Sequence, residues 1–100
     1  MSYLSVEIVK LKIEEASPEN QTIEQRVQSE GIAFLHQQPG FSRHVAAHLD
    51  KHALVISWEW ASEEQAKAGM ERWGEWMQNH GVAATVESVE TYAGNIVVSS

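Results

Sequence analysis

Cysteine is absent from the 100-residue chain, which excludes disulfides, thiolate nucleophiles and cysteine-ligated metals. Basic residues are few. Seven Lys and Arg stand against fourteen Asp and Glu, a formal charge of −7, and that balance argues against nucleic acid or an anionic membrane surface as partner. Long apolar runs are missing too: the longest covers about four residues, against the roughly 20 that a membrane-spanning helix needs. No basic start leads into an apolar stretch as a secretory leader would, so a cytoplasmic location is expected. Phosphate loops, dinucleotide fingerprints and nucleophile elbows are also absent, which removes the chemistries those motifs serve.

What is present suits one folded domain. An apolar fraction of 43% and four tryptophans are typical of a globular chain, and its length supplies a single core, so residues 1–100 read as one domain. The organising stretch is Pro39 to Trp60. A Pro-Gly turn leads into one strand, and Asp50-Lys51-His52 turns into a second. Strand side chains alternate, so Leu54, Ile56, Trp58 and Trp60 share one face and Val55, Ser57 and Glu59 the other.

Before the hairpin, Tyr3 to Ile13 reads as a strand whose apolar positions change phase. Leu4, Val6 and Ile8 fall on one face, and Val9, Leu11 and Ile13 on the other. Either a bulge sits near Val9 or both faces are covered, and the second is the expectation. Ser17-Pro18 is a helix start, with Ser as N-cap and Pro at the first helical position. The helix runs to about Gln38, and Gly31 beside its apolar stripe predicts a close approach of helix to sheet. After the hairpin, Ser62-Glu63-Glu64-Gln65 matches a capping box. That second helix ends at Gly81, a left-handed stop. Ala84 to Tyr92 reads as a strand, Ala93-Gly94-Asn95 as a turn, and Ile96-Val97-Val98 as a short edge strand or tail. The order is βαββαβ, which predicts an α+β, ferredoxin-like fold: an antiparallel sheet with both helices on one face.

Two short words in this order carry a resemblance. Pro39-Gly40-Phe41 at the end of the first helix, and Trp60-Ala61-Ser62-Glu63-Glu64 between hairpin and second helix, resemble those of the antibiotic-biosynthesis-monooxygenase-like proteins. The resemblance implies a dimeric α/β barrel, in which two four-stranded sheets pack face to face as a homodimer. It also implies a small-molecule cavity between helices and sheet in each subunit. The family includes cofactor-independent oxygenases of polycyclic phenols and quinols, haem degraders and signal-degrading enzymes. Haem degraders of this type use an asparagine on the first strand with a tryptophan and a histidine on the second helix. Here the first strand has no asparagine, and Trp73 and His80 are differently spaced, so no haem is expected.

His44, His48 and His52 recur every fourth residue, a ligand spacing on a helix. On a strand four residues span about 13 Å, too far for one ion, so no metal site is expected. Met70, Trp73, Trp76, Met77 and His80 fall on one side of the second helix. They serve as core, or as one wall of a pocket for a flat aromatic ligand with a polar edge. His80 and His44 are the candidate catalytic bases, able to remove a phenolic proton. Trp73, Trp76, Met77 and Trp60 are the candidate substrate-binding residues. The readings are then a cofactor-independent monooxygenase-like enzyme acting on a small aromatic or quinone-type compound, or a non-catalytic dimeric module that binds a small ligand.

Overall fold

A computed structural model describes residues 2–12 and 17–97. Four strands form one antiparallel sheet: β1 (Tyr3–Leu11), β2 (Phe41–Asp50), β3 (Ala53–Trp60) and β4 (Val86–Asn95), in the spatial order β2-β3-β1-β4. Helical segments α1 (Pro18–Arg26) and α2 (Ile32–His36) are joined by a π-helical turn, Val27–Gly31; α3 (Glu63–Asn79) follows the hairpin, and a 3₁₀ turn, Ala83–Thr85, leads into β4. Both helical layers lie on one face of the sheet, so the fold is ferredoxin-like, as its element order predicts.

Local chemistry explains the helix ends. Ser17 accepts from the Asn20 amide at 3.2 Å with Pro18 at the first position, and Ser62 accepts from the Gln65 amide at 3.2 Å. Gly81 takes φ +74°, the left-handed stop. The first helix is not uniform. Around Val27–Gly31 the backbone widens into the π turn, and the close approach at Gly31 is to α3, not to the sheet. A Cβ there would stand 3.0 Å from the Trp73 ring and 3.1 Å from that of Trp76.

The phase change in β1 is not a bulge at Val9, since pairing with β3 runs unbroken from Tyr3↔Trp60 to Lys10↔Ala53. The irregularity lies further on, between Lys10 and Leu11 against β4. Tyr3, Ser5, Glu7, Val9 and Leu11 therefore face the helices, and Leu4, Val6 and Ile8 face away. Ile13, which closes the expected strand, lies outside the described residues. The expected turn at Ala93-Gly94-Asn95 is strand instead: these residues pair with Ser5, Leu4 and Tyr3, because β1 offers a ladder that outweighs turn propensity. The Ile96 amide then bonds the Ser2 carbonyl at 2.8 Å, Ile96 and Val97 form no strand, and Val98 lies outside the described residues.

Leu35, Trp58, Trp60, Ala66, Trp73, Trp76 and Val82 make the core between the layers. The other sheet face carries Leu4, Val6, Ile8 and Val55, half-buried, with Val45, Leu49 and Tyr92 exposed at 43%, 55% and 58%. No part of this chain covers it among the described residues.

Candidate functional site

Between the helical layer and the sheet lies an apolar cavity of about 410 Å³. Its floor comes from the alternation of three strands: Val9 and Leu11 of β1, Leu54, Ile56 and Trp58 of β3, and Ala46 of β2. Its roof is Ile23 and Val27 before and in the π turn, and Trp73 and Met77 of α3. Val27 and Gln28, the first two residues of the π turn, both line the cavity.

Few polar side chains enter this space. Glu7 stands mid-β1, between Ile56 on β3 and Thr91 on β4, and burial raises its carboxyl above the usual range. The Thr91 hydroxyl donates to that carboxylate and opposes the shift by less. His44, on β2 beside Trp58, packs its ring 5.6 Å from the indole. Burial holds the imidazole below its usual range, which favours the neutral, proton-accepting form. At the rim, His48 Nε2 meets Glu24 Oε1 at 3.3 Å, and the side-chain Nδ2 of Asn20 donates to the same oxygen at 3.2 Å. This pair ties β2 to α1. Gln28 completes the polar lining, and no Lys or Arg side chain contributes to it.

The cavity thus brings together His44, Trp73 and Met77 of the expected site residues. Trp76, His80 and Trp60 stand outside its lining. His80 caps α3, its Nδ1 2.8 Å from the Trp76 carbonyl and its ring stacked on Trp76 at 4.2 Å. Trp76 in turn lies parallel to Trp73 at 5.1 Å. Trp60 is wholly buried, edge-on to Phe41 at 5.3 Å. It also borders a second hollow, a surface groove of about 610 Å³ with Ser2, Gly40, Ser42, Glu59 and Val97. Each buried indole, Trp58 and Trp60, has an Nε1–H with no acceptor among the described residues. Of the three histidines at four-residue intervals, His44 and His48 lie on β2 and His52 in the turn. Among the described residues no group of three His, Asp or Glu side chains is placed to hold a metal ion.

Glu7 is the residue that sequence reasoning misses. One trace of it is visible there: a lone carboxylate between Ser5 and Val9, on the strand face that the helices cover.

No family model matches the chain, and no curated protein matches it. Solved structures do. SnoaB, a cofactor-independent oxygenase from Streptomyces nogalater, superposes with a TM-score of 0.73 at 17% identity, over 98% of this chain and 95% of that one. The ActVA-Orf6 monooxygenase of Streptomyces coelicolor, solved with nanaomycin D, gives 0.71 at 13% identity, over 98% and 89%. A dimeric ferredoxin-like protein from an uncultured marine organism gives 0.70 at 17% identity, over 98% and 90%. The chain has the fold of the antibiotic-biosynthesis monooxygenases.

Proposed function

We propose that this protein is a cofactor-independent, monooxygenase-like enzyme that acts on a small aromatic or quinone-type compound in the cavity between helices and sheet. The carrying observation is the meeting of flat apolar walls with a neutral-favoured His44 in one hollow. Likeness of fold to cofactor-independent oxygenases supports it. Cofactor-independent oxygenation needs an electron-rich substrate anion, since the substrate itself must reduce dioxygen. His44 takes the proton from a phenolic or enolic C–O–H, and the O–H pair stays on the substrate. The anion reduces dioxygen; one oxygen atom enters the ring carbon and the other leaves as water, with two substrate hydrogens. Apolar walls keep water from solvating the anion and strengthen every dipole aimed at it.

The reading includes a second copy of the chain over the open sheet face. A contiguous patch of Leu4, Val6, Ile8, Val45 and Val55 is the kind of surface a soluble protein keeps for an interface, and one structural neighbour is described as dimeric.

The test is oxygen uptake with an anthrone or a dihydroxynaphthalene in the presence of a chelator. Turnover is expected, and His44→Ala should slow it by about 10²-fold or more while the protein stays folded. Tight binding without oxygen uptake would replace the enzyme reading with that of a small-ligand-binding module. Absence of both binding and turnover would refute the cavity's role.

A further inference from the structure

Glu7 places a carboxyl in an otherwise apolar wall, with the Thr91 hydroxyl as hydrogen-bond donor. The row that crosses the sheet at this level is Thr91, Glu7, Ile56 and Ala46, all turned toward the helices, and the neighbour two residues on is the buried Val9. An isoleucine would complete this wall at lower cost than a half-buried acid. The groups that could answer its charge are also few. Facing the cavity, β2 contributes His44 and His48, and α1 contributes Glu24, which is already engaged with His48. The π turn contributes Gln28, α3 only Trp73 and Met77, β3 Leu54, Ile56 and the indole of Trp58, and β4 Val86 and Val89, with the neutral Thr91 hydroxyl beside Glu7. No fixed positive charge is among them.

We propose that Glu7 is a ligand-binding residue that works as a neutral carboxylic acid, donating its proton in a hydrogen bond to a carbonyl or phenolic oxygen of an uncharged aromatic ligand. This rests on the cavity reading above. Filling the hollow with a flat ligand removes the remaining water from the carboxyl, and burial of that kind favours the protonated form. The direction in the empty cavity is already upward. Binding therefore takes up a proton, and affinity falls as pH rises. Geometry gives the ligand its length. Glu7 and His44 lie on strands separated by β3 and are offset by one same-face step, so their backbones stand about 12 Å apart from strand spacing and rise. Side chains on one sheet face stand side by side rather than toward each other, so with a hydrogen bond of about 2.8 Å at each end roughly 6 Å is left between the two oxygens of the ligand, as across a quinone ring.

Protonation of His44 at low pH acts on the same cavity, so the test isolates Glu7. The probe is 1,4-naphthoquinone, a two-ring diketone with no titratable group, followed by isothermal titration between pH 5 and 8 in two buffers of different ionisation enthalpy. For wild type we expect net proton uptake, with affinity falling by up to tenfold per pH unit above the carboxyl's pKa. Glu7→Gln keeps a donor in the same place and should bind as tightly as wild type at low pH, with the slope gone. Glu7→Leu has no donor and should bind at least tenfold more weakly than Glu7→Gln. A flat wild-type profile, or a Glu7→Gln protein as weak as Glu7→Leu, would overturn the role of Glu7 and leave the cavity reading standing. If wild type binds no quinone at any pH, the cavity reading fails and this inference with it.

Discussion

Two titrating side chains in one apolar hollow, pushed in opposite directions, make stability depend on pH in a way that can be worked out. Glu7 is raised in the folded chain, so above the ordinary glutamate range the native state holds a proton that the unfolded state has lost. Stability falls there as pH rises, until the folded carboxyl also ionises. His44 is lowered; between its folded and unfolded values the unfolded state binds the extra proton, and stability rises with pH. Glu7→Gln should remove the first slope and leave the second. Urea melts at pH 5 and pH 7 check this: the variant should gain on wild type at the higher pH, and an equal difference at both would refute it. His80 belongs to a different account. Its ring and its Nδ1 are both engaged with Trp76, a structural setting at a helix end, and the sequence had no means of separating that setting from a cavity wall.

On α3, two glycines of one helix predict opposite outcomes for the same substitution. A Cβ at Gly69 would overlap the Trp60 ring, and that indole is fully buried. Gly69→Ala should therefore lower stability by about 1–3 kcal/mol through overpacking, despite the gain in helix propensity. At Gly74 nothing lies within 4 Å, so Gly74→Ala should add about 0.5–1 kcal/mol. Thermal melts of the pair decide it, since a helix governed by propensity alone would gain in both. Element boundaries show what is legible in the chain and what is not. Ser17-Pro18, Ser62 and Gly81 act through their own backbone neighbours, so their roles are readable locally. The widening at Val27–Gly31 and the extension of β4 through Asn95 depend on partners far along the chain, the α3 indoles and β1 respectively.

For the molecule as a whole, the helix-facing half was readable and the site within it only in part. Alternation along Leu54, Ile56, Trp58 and Trp60 marks the covered face, and periodicity along α3 marks the layer that covers it. Which of those side chains close on each other and which leave a hollow depends on packing in three dimensions. Hence Trp73 and Met77 meet the cavity while Trp76 and Trp60 do not. The open face makes its own prediction. Sedimentation at micromolar concentration should show a particle of twice 11.2 kDa, and Val6→Lys, a charge at the middle of the patch, should shift it to the single chain. A wild-type protein that sediments as one chain would remove the paired arrangement.

The sheet order has a consequence in time. Of the four strands β1 is made before the others and lies in the interior of the sheet, yet both its neighbours, β3 and β4, come later, and β4 last of the four. While the ribosome extends the chain at roughly 5–20 residues per second, β1 waits for seconds with apolar residues on both faces and both backbone edges unpaired. Long-range pairing of this kind delays folding until the sheet can close. A nascent chain stalled after Thr85 should be cut by protease at concentrations that the 100-residue chain survives, and equal resistance would show that β4 is dispensable for closure. Birth, for this fold, is the interval of greatest exposure.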